Sequence, residues 1–139
     1  MKDPEIEAVV DAILAHDPDG SGFARVLRQS HDQIFEGQHT GRYRWDQLYK
    51  TEKTHFGTIV EINLRRALPC LEDGQVLDFA VAGIEVDCKY SQTLHGWMIP
   101  PEAVGQLCLV VWSHDESSRW SAGVVRASPA NLGAGANRD

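Results

Sequence analysis

The chain has 139 residues, 42% of them hydrophobic and 24% charged, and a formal net charge of −7. That length fits one domain with a sizeable core, and the acidic balance excludes indiscriminate nucleic-acid binding driven by bulk charge. No apolar run approaches the roughly 20 residues of a membrane span, and Met1-Lys2-Asp3-Pro4-Glu5 has no signal-peptide core, so a cytoplasmic protein is expected. Three cysteines, Cys70, Cys88 and Cys108, stand far apart with no CxxC pair, which argues against a disulfide framework or a structural zinc site.

In chain order, Pro4 to Ala15 reads as a helix. Ile6, Val9, Val10, Ile13 and Leu14 recur at helical spacing, and Pro4 suits the first turn. His16-Asp17-Pro18-Asp19-Gly20 breaks it, and a second helix is expected from Ser21 to Phe35. The Asp17–Gly22 segment opens like an EF-hand loop, but its twelfth position is Arg28 where a bidentate Glu is required, so it reads as a loop ahead of a helix. Residues 37–44 read as a polar loop. Helical signal returns at Trp45–Leu48 and is strongest over Thr51–Leu68. After a connector at 69–74, a hairpin is expected: a strand over 76–81, a turn at Ala82-Gly83 and a strand over 84–90. A polar loop follows at 91–96. Pro100-Pro101 opens a short helix through Val104, and strands are expected at 107–112 and 119–127, with a polar turn at 113–118 between them. The domain then spans 1–130, with a glycine-rich flexible tail or linker at 131–139. This order of elements gives an α/β fold with a mixed sheet flanked by helices and a helical N-terminal segment.

The hairpin carries the chemistry. Asp78 is followed by eight residues and then Asp87-Cys88-Lys89. Side chains alternate along a strand, so Glu85, Asp87 and Lys89 share one face while Ile84, Val86, Cys88 and Tyr90 take the other. Two carboxylates and a lysine on adjacent strands can hold a divalent metal beside a cation able to stabilise a phosphate or a hydroxide. On the preceding helix, Thr54, Thr58, Glu61 and Arg65 share a face, and Glu61 reads either as a solvated partner of Arg65 or as a further carboxylate at the site.

The spacing resembles the D…(D/E)xK nuclease superfamily. Thr51-Glu52-Lys53-Thr54-His55, Glu61-Ile62-Asn63-Leu64, Val81-Ala82-Gly83, Val86-Asp87-Cys88-Lys89, Trp97-Met98-Ile99-Pro100-Pro101-Glu102 and Trp120-Ser121-Ala122-Gly123 narrow the resemblance to the endonuclease domain of NaeI-type restriction enzymes, over roughly Asp17 to the C-terminus. The resemblance implies a restriction-endonuclease-like core and a metal-dependent endonuclease acting on duplex DNA, with Mg²⁺ as the cofactor and a symmetric homodimer as the reader of a short palindrome. It implies Glu61, Asp78, Asp87 and Lys89 as catalytic residues. Asp78, Asp87, Glu61 and the backbone carbonyl of Cys88 would be the metal ligands. Leu77 stands where many superfamily members have proline. NaeI-type enzymes also carry a C-terminal DNA-binding domain that acts as an effector site. The present residues correspond to the endonuclease part, either as a one-domain relative or as a chain whose C-terminal half has been removed.

Charge is unevenly spread. Residues 42–66 carry six basic and three acidic side chains, a net +3, between two flanks of net −5. Phosphate contacts are therefore expected from Arg42, Arg44, Lys50 and Lys53, with Thr54 and His55, although solvated helix faces would give the same composition. The loop after the second hairpin strand supplies Ser91, Gln92, Thr93 and His95 as candidate base contacts. His55, His95 and His114 lack zinc-like spacing. Two other functions fit the same residues: a single-domain nicking or repair endonuclease, and a DNA-binding module without catalysis.

Overall fold

The computed structural model describes residues 3–92 and 105–127. Helix α1 (Pro4–His16) starts where Asp3 accepts the amides of Glu5 and Ile6 at 3.1 and 3.3 Å, and it buries Val9 and Ile13. Asp17 then caps the next helix: its two oxygens accept the amides of Gly22 (2.8 Å) and Phe23 (3.0 Å). The acidic segment before α2 (Ser21–Phe35) is thereby spent on helix capping. A four-residue helix, α3 (Gly37–Thr40), occupies part of the span expected as loop, closed by a bond from Thr40 Oγ1 to the Phe35 carbonyl at 2.6 Å. A 3₁₀ turn at Trp45–Gln47 leads into α4 (Lys50–Ala67), the longest helix among the described residues. Its first turn is fixed by the Tyr49 amide donating to Glu52 at 2.9 Å, and Arg65 and Arg66 suit its last turn.

The sheet has the order β1-β2-β3-β4-β5: β1 (Glu72–Asp73), β2 (Phe79–Val81), β3 (Ile84–Ser91), β4 (Leu107–His114) and β5 (Arg119–Arg126). β3 and β4 are parallel and every other pair is antiparallel. The fold is thus α/β with a mixed sheet behind N-terminal helices, consistent with a restriction-endonuclease-like core. One sheet face, carrying Val86, Cys88, Leu107, Leu109 and Val111, joins the main core with Phe56, Val60 and Leu64 of α4 and Phe23, Val26 and Leu27 of α2. On the other face Cys108, Val110 and Ala127 form a small buried cluster. Between α2 and α4, Asn63 is buried and donates to Ser30 Oγ (2.9 Å) and Gln33 Oε1 (3.2 Å).

Three boundaries differ from expectation. The first hairpin strand begins at Phe79, because the amides of residues 75–77 bond to the Glu85 side chain and not to a strand. The connector at 69–74 contributes the short edge strand β1. β4 runs on to His114, where Ser113 and His114 pair with Trp120 and Arg119. The expected helix from Pro100 lies outside the described residues, as does the 131–139 tail. Among the described residues no helix is long and apolar enough to cross a membrane.

The β2–β3 turn has two residues, both left-handed: Ala82 at φ 52° and Gly83 at φ 78°, between the paired Val81 and Ile84. A two-residue turn of this kind suits the twist of the strands it joins, and asparagine is favoured over alanine at its first position. Ala82→Asn is therefore expected to stabilise the fold by about 0.5–1 kcal/mol, read as a higher urea midpoint with an unchanged slope.

Candidate active site

The site forms where β3 changes partners. Its pairing with β2 ends at Phe79–Val86, and pairing with β4 begins at Val86 on the opposite edge. Beyond that point the Cys88 amide faces the β2 side, and Asp78 Oδ2 accepts it at 2.8 Å. The register, continued by one residue, sets Asp78 opposite Asp87. The two carboxyls meet: burial, followed by a hydrogen bond to Asp87, pushes Asp78 up to about 6, and the nearby negative charge of Glu61 adds to the effect.

Asp87 is buried and Lys89 half-buried. Lys89 Nζ lies 3.1 Å from Asp87 Oδ2. Burial is the largest single influence and works against the charged ammonium, but the bond to Asp87 and the negative charges of Asp87 and Asp78 together exceed it, and Lys89 is held above the ordinary lysine range. Cys88 points the other way, into the core, and burial raises its thiol well above the usual range. Its main-chain amide, not its thiol, meets Asp78.

Glu61 reaches the same neighbourhood from α4. Its Oε2 accepts from Arg65 Nη2 at 3.2 Å, and the same Arg65 nitrogen donates to the Asp78 carbonyl at 3.0 Å. Arg65 also pairs with Asp73 at 2.9 Å and lies over the Phe79 ring at 5.2 Å. The Glu61–Arg65 pair and the placement of Glu61 beside Asp78 thus hold together, where the sequence offered them as alternatives.

Among the described residues no three His, Cys, Asp or Glu side chains make a ready-made metal cage. Asp78 and Asp87, crowded until one takes a proton, nonetheless fit a small hard cation. Mg²⁺ in particular is commonly held by one or two carboxylates and completes its shell with water and phosphate oxygens. The donor set of Asp78, Asp87 and the Cys88 carbonyl is compatible with it, with Glu61 at the margin.

The remaining expected residues divide. Arg42 turns inward: its guanidinium donates to both Glu52 oxygens, at 2.6 and 2.8 Å, and to the Ile34 carbonyl at 3.3 Å. Arg44, Lys50, Thr54 and His55 are exposed and Lys53 is half-buried. The first turns of α4 lie near the C-terminal end of β3, where Phe56 meets the Tyr90 ring edge-on at 5.0 Å. Ser91 is buried, and Gln92 is exposed with its carbonyl accepting from Trp112 Nε1 at 2.9 Å. Thr93 and His95 lie outside the described residues. His114 bonds to Ser117 within the β4–β5 turn at 2.7 Å. Glu85 carries more of the geometry than sequence reasoning gave it. It shares a strand face with Asp87 and Lys89, which was readable, but its bonding to the loop before Asp78 was not.

Comparison with known proteins bears on these residues as a set. The profile of the family described as Restriction endonuclease NaeI matches residues 7–139. The Type II restriction enzyme NaeI of Lentzea aerocolonigenes is 49% identical over 137 residues, covering 99% of this chain and 43% of that enzyme. The chain therefore spans less than half the length of this relative. The matched range includes the positions of Glu61, Asp78, Asp87 and Lys89, and with 49% identity over nearly the whole chain it shows that the chain belongs to the NaeI restriction endonuclease family.

Proposed function

We propose that this chain is the catalytic unit of a type II restriction endonuclease, hydrolysing phosphodiester bonds in duplex DNA with Mg²⁺ and acting as a homodimer at a short palindrome. The observation that carries this reading is the junction of Asp78, Asp87 and Lys89 at the edge of β3. Two carboxylates held together at the cost of a raised pKa are what a cation site requires, and a buried scaffold has little other use for them.

Asp78, Asp87 and the Cys88 carbonyl would hold the ion, with Glu61 beside them. A bound Mg²⁺ would supply polarisation of a phosphoryl oxygen and a water of lowered pKa. The chain's own residues do the rest. The Lys89 ammonium, held by Asp87, faces the charge that develops on the phosphate during in-line attack by water. Lys50, Lys53, Arg44 and His55 would meet flanking phosphates, and Ser91 at the end of β3, with Gln92, Thr93 and His95 of the following segment, would supply the base contacts. Arg42 serves this interface indirectly, by tying α4 to the end of α2 through Glu52 and the Ile34 carbonyl.

Single-turnover cleavage of plasmid DNA beside a binding titration in Ca²⁺ tests the reading. Asp87→Asn should abolish Mg²⁺-dependent cutting with the fold intact. Lys89→Ala should slow the chemical step by about a hundredfold or more, as expected for one lost electrostatic partner of about 2.7–4 kcal/mol, with DNA affinity nearly retained. Normal cleavage by Asp87→Asn would sink the assignment, and lost binding with a normal rate in Lys89→Ala would make Lys89 a DNA anchor.

Asp78 gives a pH dependence of definite sign. Its folded pKa of about 6 lies above the ordinary aspartate value of 3.8, so the folded chain binds the extra proton. Without metal, stability should fall as pH rises from about 4 to 6, and the charged carboxylate continues to cost stability above that window. Asp78→Asn keeps an acceptor for the Cys88 amide and removes the charge. With allowance for solvent screening, it should gain about 1–2 kcal/mol at pH 8 and nothing near pH 4. Thermal melts at the two pH values, with chelator present, read this out. Equal gains at both would place the effect in packing.

The cations available to DNA are fewer than composition counts. With Arg42 engaged internally, Lys50→Ala and Lys53→Ala should each reduce the slope of log affinity against log salt by roughly 0.9, and Arg42→Ala should instead lower the melting temperature. Unchanged slopes in both lysine variants would locate the phosphate contacts elsewhere.

A further inference from the structure

The five residues Gly74–Asp78, which lead into β2, belong to no strand, yet their main chain is closely held. Glu85 Oε2 accepts the Gln75 amide at 3.1 Å, and Oε1 accepts the amides of Val76 (3.0 Å) and Leu77 (2.9 Å). Three successive donors converge on one carboxylate, and the next residue is Asp78. The loop is closed from the other side as well: the Gly74 amide points to the Asp78 carbonyl at 3.4 Å, and Arg65 donates to that same carbonyl. Gly74 permits this closure, since a Cβ there would sit 2.2 Å from the Leu77 carbonyl oxygen and 2.9 Å from Glu85 Oε1.

Glu85 stands two residues before Asp87 on β3, in register with Ala80. The strand that carries Asp87 and Lys89 thus also carries the group that aims Asp78 at them. Lys89 pairs with Asp87, which leaves the Glu85 carboxylate to the loop.

We propose that Glu85 is a positioning residue of the metal site, setting the approach of Asp78 through the amides of Gln75, Val76 and Leu77. The inference rests on the metal-dependent reading above and deepens it. A carboxylate suits the task because it has two acceptor atoms and no donor, facing three N–H groups. Glutamine retains one acceptor and turns an NH₂ toward a donor, so it can satisfy only part of the loop. Alanine satisfies none of it.

The test is titration of the unsubstituted chain, Glu85→Gln and Glu85→Ala with Mn²⁺ alone, beside hydrogen exchange of the three loop amides. Residues that orient metal ligands typically contribute about tenfold to a hundredfold in metal affinity. Glu85→Ala should lose affinity in that range, Glu85→Gln should fall between, and exchange at residues 75–77 should accelerate in the same order. Arg126→Ala is the control. It breaks the bonds of β5 to Asp3 and Glu5, at 2.7 Å each, so it should lower the melting temperature without changing Mn²⁺ affinity. Glu85 variants with exchange at residues 75–77 accelerated but Mn²⁺ affinity as unchanged as in this control would overturn the proposal. If Glu85→Ala does not fold, Glu85→Gln decides by the same two readings. Absence of Mn²⁺ binding by the unsubstituted chain would instead overturn the metal reading on which the proposal rests, while amide exchange would still report whether Glu85 orders the loop.

Discussion

The bond from the Cys88 amide to Asp78 marks the place where β3 exchanges one neighbour for another. A central strand must satisfy donors on both edges. β3 does so with β4 along residues 86–91, but on its other edge β2 accompanies it only as far as Val86. The next inward-facing donor on that edge would be unpaired in a partly buried setting. A side-chain carboxylate takes the place of a strand carbonyl, and this brings Asp78 against Asp87. The short length of β2 is therefore a condition of the site. Had β2 continued through Val76, as its apolar residues allow, the backbone would have paired in Asp78's place.

Cations are distributed unequally over the three carboxylates. Asp87 has Lys89 and Glu61 has Arg65. Asp78 meets a backbone amide, a second carboxylate and the field of a third, and burial together with these carboxylates raises its pKa. Arg65 contributes only to the Asp78 carbonyl, on the main-chain side, so it fixes the residue without relieving its side chain. The crowding persists because Glu85, Arg65 and Gly74 over-determine the loop. On the proposed reading, such an arrangement would lower the stability of the free protein and favour whatever brings positive charge to that point.

Much of this was legible in the residues. The alternation of Ile84 to Tyr90 placed Asp87 and Lys89 on one face, Ala82-Gly83 marked the turn, and the helical periods of α1, α2 and α4 located the core. Local bonding choices were less legible. Val76 and Leu77 look like strand residues, and nothing in their apolar character reveals that a glutamate eight or nine positions later captures their amides. Arg42 and Arg65 counted as surface charge because composition records charge without direction. In the folded chain, one is spent on Glu52 and the other on Glu61, Asp73 and a carbonyl. The acidic run at Asp17 was a capping device for the same reason: pattern gives the residue types, and the fold decides which donors they meet.

Helix α4 ties these elements together. Its beginning presents Lys50, Lys53 and His55 at the surface, its middle packs Phe56 and Val60 against the sheet, and its end brings Glu61 and Arg65 to Asp78. Phe56 touches Tyr90, the residue after Lys89, so the helix grips β3 on the far side of the carboxylates as well. An 18-residue helix is about 27 Å long, and α4 is anchored by its buried residues from Phe56 to Leu64. Contacts made at its exposed first turns would therefore act on the same body that fixes the Asp78 carbonyl. On the proposed reading, the phosphate contacts and the metal site would be linked through this one helix.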